Sequence, residues 1–398
     1  MNTIMVLGGG LVGATIARDL ASDDDLRVTV VDVNPGVLSR IAAQDGGRIG
    51  TIKADLKDGE QLRNVVRDCD LVVGAVPGWL GFQVLSEVIK ARKSFVDISF
   101  MPEDPRELQA RAVAAGVAGL VDFGVAPGMS NVLAARAVSD LDKVEEIRIL
   151  VGGLPQIRRQ PYEYAAVFSP ADVLEEYTRE ARFVEAGHVV TRPALSDVEW
   201  LEFDGVGTLE AFNTDGLRSL MWSLDVPFMK EKTLRYPGHA DRMRVLRDSG
   251  FLSKQAIRVG GADVRPIDLT LALFEGAWRL PEGEGDLTVM RVEAFGVRNE
   301  QPAREAYELL DRYDPHSGTT SMARTTGYPC AIAARMLLDG TVRLEHGIHF
   351  PEVFARDKRT LDHLLGELRL RGVEFHHRTD LIDLRPRSIA PRRLPTVR

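Results

Sequence analysis

Short apolar runs alternate with helical patterns over the first 125 residues. The runs that predict strands are "TIMVL" (3–7), "LRVTVVDV" (26–33), "GTIKADL" (50–56), "CDLVVGAVP" (69–77), "KSFVDISF" (93–100) and "GLVDFGVAPG" (119–128). Between the later runs lie helical patterns, such as "LSEVIKARK" and "PRELQARAVAAG". This alternation predicts the α/β class, with a parallel, doubly wound sheet that binds ligands at the carboxyl ends of its strands.

After Gly128 the pattern changes to strands that follow one another with few helices between them. The predicted strands are "EIRILVGG" (146–153), "EYAAVFS" (163–169), "TLEAFN" (208–213), "KTLRY" (232–236) and "DLTVMRVEAFGV" (286–297), and helices are predicted at 239–249 and 266–280. A further helix should begin near Ser169, because "SPAD" combines an N-cap residue with proline at the first helical position. Adjacent strands with helices to one side predict an α+β substrate domain with a mainly antiparallel sheet.

Helical patterns return near the end of the chain, in "PCAIAARMLLDG" (329–340) and "RTLDHLLGELRLRG" (359–372). We expect these helices to pack on the first domain and make it discontinuous. The predicted division is therefore a dinucleotide-binding domain at 1–125, a substrate domain at 126–320, returning helices at 321–383, and a flexible basic tail at 384–398.

A glycine motif follows the first predicted strand. Gly8, Gly10 and Gly13 form G-x-G-x-x-G ahead of a helical pattern, and Asp32 ends the second predicted strand. In a Rossmann fold such glycines let a pyrophosphate approach the backbone, and an acid ~20 residues later binds the ribose 2′-hydroxyl. Because a carboxylate at Asp32 would repel a 2′-phosphate, NAD is favoured over NADP. The alternative is a glycine turn that binds no ligand.

The carboxyl ends of the predicted parallel strands supply the other cofactor candidates. Asp55 is a candidate for the adenine edge, and Ala75–Pro77 and Ile98–Ser99 for the nicotinamide side. The full predicted cofactor set is Gly8, Gly10, Leu11, Val12, Gly13, Asp32, Val33, Asp55, Ala75, Val76, Pro77, Ile98 and Ser99.

Composition narrows the possible classes of function. The formal net charge of −8 argues against sequence-independent nucleic-acid binding, which needs Lys and Arg to neutralise phosphates. The two cysteines, Cys69 and Cys330, suit a reduced cytoplasmic protein, and the apolar run at 112–127 is too short to span a bilayer. The spacing of the histidines predicts no metal site. We expect a homodimer in the cytoplasm, with no membrane or nucleic-acid partner.

Several motifs resemble those of the saccharopine dehydrogenase family. They are "FGVAPGMSN", "ILVGGLP", "YEYAAVFSPADVLEEYT", "LEAFNTDG", "KTLRYPGH" and "MARTTGYPCAIAARML", in the family's order over nearly the whole chain. Within the family the chain is most similar to the NAD-dependent lysine 6-dehydrogenases. Saccharopine reductases tend to carry an arginine where this chain has Thr214, and Asp-Pro-Gly where it has Ala126-Pro127-Gly128. The resemblance therefore implies a substrate with fewer charges than saccharopine.

What the resemblance implies is an NAD-dependent oxidation of the side-chain amine of L-lysine to allysine, which cyclises to 1-piperideine-6-carboxylate as ammonia is released. Such a reaction needs a base, because a lysine amine with a pKa of ~10.4 arrives protonated. It also needs an anchor for the α-carboxylate. We assign the anchor to Arg235, the proton relay to His239, and a second candidate base to Asp97.

Three further residues complete the predicted substrate site. Glu163 is the candidate for holding a substrate ammonium, and Tyr164 is the alternative on the opposite face of the same predicted strand. Thr214 lies in the motif that differs from the saccharopine reductase pattern. Two other functions stay open: oxidation of saccharopine or another N-alkylated amino acid or polyamine, and a non-catalytic NAD-binding sensor or scaffold.

Overall fold

A computed structural model describes residues 1–166, 169–281 and 283–382. The predicted tail at 384–398 lies outside the described residues. The first sheet has seven parallel strands in the order β17-β6-β5-β4-β1-β2-β3. These strands, numbered in chain order, are β1 (Asn2–Leu7), β2 (Leu26–Asp32), β3 (Ile49–Lys53), β4 (Leu71–Gly74), β5 (Phe95–Asp97), β6 (Ala118–Leu120) and β17 (Gly347–His349). The predicted doubly wound sheet is confirmed.

Helices cover both faces of this sheet, and hydrophobic clusters fill the space beneath them. The early helices are α1 (Leu11–Leu20), α2 (Pro35–Gln44), α3 (Gly59–Val65), α4 (Gly78–Lys90), α5 (Gln109–Ala115) and α6 (Met129–Ser139). The late helices are α11 (Ser321–Leu338) and α12 (Lys358–Leu370). Helix α11 packs closely on α1, where a Cβ on Gly327 would lie 3.2 Å from Ile16 Cγ1. The first domain is thus discontinuous, and β17 completes it along with the returning helices.

The second sheet has nine strands and is mainly antiparallel, with β12 and β7 as its one parallel pair within the described residues. Its strands are β7 (Lys143–Pro155), β8 (Ala181–Glu185), β9 (His188–Arg192), β10 (Glu199–Phe203), β11 (Gly207–Asn213), β12 (Phe228–Arg235), β15 (Asp286–Arg298), β16 (Gln301–Arg312) and β18 (His376–Leu381). A separate hairpin joins β13 (Ile257–Val259) and β14 (Ala262–Val264). The helices here are α7 (Pro170–Thr178), α8 (Leu220–Ser223), α9 (His239–Asp248) and α10 (Pro266–Ala277).

The two sheets share one hydrophobic core, which contains Val6, Leu133, Ile149 and Met290. Helix α11 also links the two sheets at its amino end. Asp286 on β15 accepts hydrogen bonds from the backbone N–H groups of Ser321 at 2.7 Å and Met322 at 2.9 Å. The carboxyl ends of the first sheet are therefore held opposite β7 and β12 of the second.

One predicted strand is wrong. Residues 161–163 form a turn, and Glu163 has a φ of 50°, which an extended strand does not permit. Ala166 makes only an isolated bridge to Arg279, and Val167 and Phe168 lie outside the described residues. The helix predicted to start at Ser169 does form as α7, and the Ser169 hydroxyl accepts from the Asp172 N–H at 3.4 Å.

Candidate active site

A cavity of about 470 Å³ lies between the two domains. Its first wall is built from the turn between β1 and α1, the loop after β4, the loop after β5 and the start of α11. Its second wall is built from α7, β7, β12 and the loop after β11. A cleft of this size between two domains is the usual place for a cofactor and a small substrate to meet.

The glycine turn on the first wall is shaped for close backbone approach. Gly8 has a φ of +102°, and a Cβ there would lie 2.4 Å from the Ala75 carbonyl oxygen. A Cβ on Gly13 would lie 2.1 Å from the Gly8 carbonyl oxygen, whereas a Cβ on Gly10 would meet no atom within 4 Å. Gly8 and Gly13 are therefore required by packing, whereas Gly10 leaves open space beside the amino end of α1. These features fit a pyrophosphate.

Asp32 lies at the expected place in this wall. Its carboxylate accepts hydrogen bonds from the backbone N–H groups of Gly9 and Asn34, both at 2.8 Å. It lines the cavity together with most of the predicted cofactor residues: Gly8, Gly10, Leu11, Val12, Gly13, Ala75, Val76, Pro77, Ile98 and Ser99. Two of the predicted cofactor residues are not part of the cavity lining, and their roles stay predictions. Val33 is exposed and Asp55 accepts from the Lys57 N–H in a surface turn, and neither lines the cavity.

Asp97 lies behind the first wall rather than in it. Its side chain is fully buried and accepts hydrogen bonds from the Ser99 N–H at 2.8 Å and the Ser99 hydroxyl at 3.1 Å. Burial is the main cause that raises its pKa to about 8. Because Asp97 does not line the cavity, its assignment as a base is corrected to the positioning of Ser99, which does.

On the second wall, one face of β12 presents Glu231, Thr233 and Arg235 to the cavity. Alternate residues of a strand share a face, so these three side chains point to the same side of β12. Thr214, in the loop after β11, bridges two of them. Its hydroxyl donates to Glu231 Oε2 at 2.7 Å and lies 2.8 Å from the Thr233 hydroxyl.

Arg235 lines the cavity as predicted, and a group of buried side chains holds it there. Its guanidinium donates to the Tyr177 hydroxyl at 3.2 Å and to Glu176 Oε2 at 3.3 Å, and it lies 4.7 Å from the centre of the Tyr164 ring. Tyr164 is part of the hydrophobic core and does not line the cavity. Its assignment to substrate binding is therefore corrected to support of Arg235.

His239 begins α9 and is not among the residues that line the cavity. Its Nε2 lies 2.9 Å from the Tyr177 hydroxyl, and its side chain is almost completely buried. Burial, followed by the nearby charge of Arg235, lowers its pKa to about 3, so the imidazole is neutral at physiological pH. The proposed proton relay is corrected to a structural contact with Tyr177.

Glu163 is also outside the cavity. Its carboxylate pairs with Arg158 at 3.0 Å and lies 3.7 Å from Arg242. The assignment to substrate binding depended on a strand that does not form at this position, and it is corrected to a surface ion pair.

Four cavity carboxylates were not predicted: Asp172, Glu176, Asp215 and Glu231. Asp172 and Glu176 are four residues apart on α7, and this spacing places them on one helix face. Burial is the largest cause that raises the pKa of Glu176 to about 7 and that of Glu231 to about 8. The second wall therefore carries two buried carboxyl groups whose pKa values are raised toward neutral pH.

Outside the cavity, Asp140, Glu305 and His377 have ligand atoms within 4.8 Å of one another. Arg136 pairs with Asp140, and Arg298 pairs with Glu305 at 2.7 Å. Since these arginines already neutralise the carboxylates, we interpret the group as an ion-pair network. In the part of the chain that the structure describes, no helix has both the length and the apolar character to cross a membrane.

Two family models together match almost the whole described chain. Residues 4–120 match the saccharopine dehydrogenase NADP binding domain, and residues 124–373 match the saccharopine dehydrogenase C-terminal domain. The first match indicates a nicotinamide dinucleotide cofactor, in agreement with the glycine turn.

Relatives of known activity are distant but span most of the chain. Saccharopine dehydrogenase [NADP(+), L-glutamate-forming] of Saccharomyces cerevisiae is 23% identical over 85% of this chain and 92% of its own length. Carboxynorspermidine synthase of Vibrio alginolyticus is 23% identical over 85% of this chain and 89% of its own length. The solved structure of apo saccharopine dehydrogenase (L-Glu forming) from Saccharomyces cerevisiae has a TM-score of 0.78 at 21% identity, covers 96% of this chain and 100% of that one, and shows the same fold.

Proposed function

Because the chain belongs to the saccharopine dehydrogenase family, we propose that it is a nicotinamide-dependent oxidoreductase of a secondary amine, an N-alkylated amino acid or polyamine. The observation that carries the proposal is the cavity that joins the glycine turn to Arg235, Glu176 and Glu231. An amine held between these walls lies within reach of both a dinucleotide and proton-exchanging carboxylates.

The charges of the cavity favour a substrate with more amines than carboxylates. Among the described residues that line it, Arg235 is the single Lys or Arg, whereas Asp32, Asp172, Glu176, Asp215 and Glu231 are acidic. Arg235 suits one carboxylate, since a guanidinium binds a carboxylate in a bidentate fork. An N-carboxyalkyl polyamine of the carboxynorspermidine kind, with one carboxylate and several amines, matches this arrangement better than saccharopine does.

L-Lysine is the second candidate, and Thr214 is the observation that favours it. Its hydroxyl is bound to Glu231 and Thr233, so no cation occupies the position of the arginine that saccharopine reductases tend to have. Free lysine has one carboxylate and two amines, and it would meet the same arginine and the same acidic groups.

A bound nicotinamide dinucleotide would accept the hydride from the carbon beside the amine. The chain's own residues then have three tasks. Arg235 holds the substrate carboxylate, Glu176 beside it attracts a substrate ammonium, and the apolar side chains of Ile98 and Met322 help to exclude water from the reacting carbon. Holding the carboxylate and the amine in fixed positions lowers the entropic part of the barrier.

We propose that NAD is preferred over NADP. Asp32 supports this, because its carboxylate lines the cavity and is fixed by the Gly9 and Asn34 N–H groups, where it would repel a 2′-phosphate. The relatives from Saccharomyces cerevisiae and Schizosaccharomyces pombe carry NADP(+) in their names. An Asp32→Ser/Val33→Arg variant should shift the ratio of kcat/KM values toward NADP at least tenfold.

The test is the rate of reduced-cofactor formation with carboxynorspermidine, saccharopine, L-lysine and L-ornithine, each with NAD and with NADP. We expect carboxynorspermidine to give the highest kcat/KM, and L-lysine to exceed saccharopine. Highest activity with saccharopine would contradict the charge argument. Dinucleotide binding without turnover of any amine would favour a sensor or scaffold instead.

A further inference from the structure

Glu231 differs from the two cavity acids that pair with an arginine, Glu176 and Asp215. Glu176 contacts Arg235, Asp215 forms a bidentate pair with Arg182 at 2.7 and 2.9 Å, and Asp172 accepts from the Gly78 N–H at 3.3 Å. Within the described residues, Glu231 forms no ion pair, and its side-chain hydrogen bond comes from the neutral Thr214 hydroxyl. It is a buried carboxyl group, 3% exposed, with a face on the cavity.

The surroundings of Glu231 are built to hold this carboxyl group in one place. A Cβ on Gly216 would lie 2.4 Å from Glu231 Cδ, so the glycine provides the room that the carboxyl group occupies. Thr214 fixes one carboxyl oxygen and is itself fixed by Thr233. Arg235, which lies four residues along the same face of β12, would hold a substrate carboxylate at a fixed distance from Glu231.

We propose, on the basis of the function proposed above, that Glu231 is the acid–base residue of the reaction. Its carboxylate accepts a proton from the substrate ammonium, which frees the nitrogen lone pair. A bound oxidised nicotinamide would accept the hydride from the adjacent carbon, which leaves a C=N bond, and Glu231 releases its first proton to solvent. Water adds to this carbon while the ionised Glu231 accepts a proton from the water, and Glu231 then donates this proton to the nitrogen. As the C–N bond breaks, Glu231 accepts the remaining hydroxyl proton and passes it to the leaving amine. The products are a carbonyl compound, a primary ammonium, reduced cofactor and one proton.

The charges facing Glu231 suit a carboxyl group that is protonated in one part of the reaction and ionised in another. Glu176 on α7 and Asp215 after β11 add negative potential, Arg182 on β8 balances Asp215, and Arg235 lies on the same strand. Burial is the largest cause that raises the pKa of Glu231 to about 8, and the nearby carboxylates of Glu176 and Asp215 raise it further. An incoming ammonium has the opposite effect, because it favours the ionised form.

The test compares Glu231→Gln with wild type, using carboxynorspermidine, saccharopine and L-lysine at saturating NAD. Glu231→Gln should lower kcat by ~10²- to 10⁴-fold, the usual contribution of general acid–base catalysis. The acidic limb of the kcat/KM profile should move from about pH 8 toward ~10, the pKa of a free amine. The matched control is Glu163→Gln, whose carboxylate lies outside the cavity and which should keep the wild-type profile.

Two further measurements distinguish a catalytic role of Glu231 from a structural one. Thr214→Val should shift the apparent pKa of the limb with a smaller loss of kcat, because Thr214 positions Glu231 without replacing it. Fluorescence titration with NADH should give similar Kd values for wild type and Glu231→Gln, which shows that the variant is folded. An active wild type with an equally active Glu231→Gln overturns the assignment of Glu231 alone. A wild type that oxidises none of the three amines overturns the proposed function and this inference with it.

Discussion

The two walls of the cavity recognise their ligands by different means. The first wall is mostly backbone and apolar side chain, with Gly8 and Gly13 packed against carbonyl oxygens and Asp32 held by two N–H groups. The second wall is made of side chains that interact across four elements, with Arg235 at the centre. A substitution on the first wall should therefore affect mainly cofactor binding. A substitution on the second wall should also change the stability of the fold and the pH dependence of the reaction.

The largest expected effect tests the first wall. Gly8→Val should raise the Kd for NADH more than ~100-fold, because a side chain would collide with the Ala75 carbonyl group and the φ of +102° disfavours any L-residue. Fluorescence titration measures this, and Gly276→Ala, at a helix position with open space, is the control. Retained NADH binding in Gly8→Val would show that the turn does not hold the dinucleotide.

The next prediction tests the second wall. Arg235→Met should raise KM by ~10- to 100-fold, in keeping with ~1.5–3 kcal/mol for hydrogen bonds to charged groups. It should also destabilise the fold, by up to ~3–5 kcal/mol, because Glu176 loses its partner. The double variant Arg235→Met/Glu176→Gln should regain stability in denaturant unfolding but not the low KM. If KM stays at the wild-type value, Arg235 does not bind the substrate.

A smaller effect concerns pH and stability. The folded pKa of Glu231 is raised to about 8 from an ordinary 4.5, so folding favours its protonated form. That stabilisation is complete below about pH 4.5 and is lost as the pH rises through about 8. Glu231→Gln has no proton to lose, so its Tm relative to wild type should rise by a few degrees between these limits. A constant difference in Tm across this range would contradict the raised pKa.

The smallest effect is expected outside both walls. Glu163→Gln should change kcat and KM by less than about twofold, since the carboxylate pairs with Arg158 at the surface. A tenfold loss with any of the tested amines would place Glu163 in the site and restore the assignment made from the sequence.

The first wall could be predicted from the sequence because its determinants are local. The glycines, the following helix and Asp32 lie within one β-α-β unit, and each glycine is needed for a backbone reason that spacing reveals. Val33 and Asp55 do not line the cavity, because a position at a strand end does not fix the direction of the side chain.

The second wall could be predicted only in part. The strand prediction began at Lys232, and extending the alternation back by one residue would have brought Glu231 onto the face of Thr233 and Arg235. The spacing of Asp172 and Glu176 gives a shared helix face, but tertiary packing decides that this face meets the cavity. His239 illustrates the same limit: its neighbours Tyr162 and Tyr177 are distant in sequence, and they determine that it is buried and neutral.

The discontinuity of the first sheet has a consequence for biosynthesis. Strand β17 pairs with β6, yet nearly all of the second sheet is translated between them. Until β17 emerges from the ribosome, β6 is an open edge with unpaired N–H and C=O groups, which invites association with other chains. We therefore expect a fragment ending near residue 125 to aggregate when expressed alone. A permuted gene that places β17 next to β6 should reduce this aggregation.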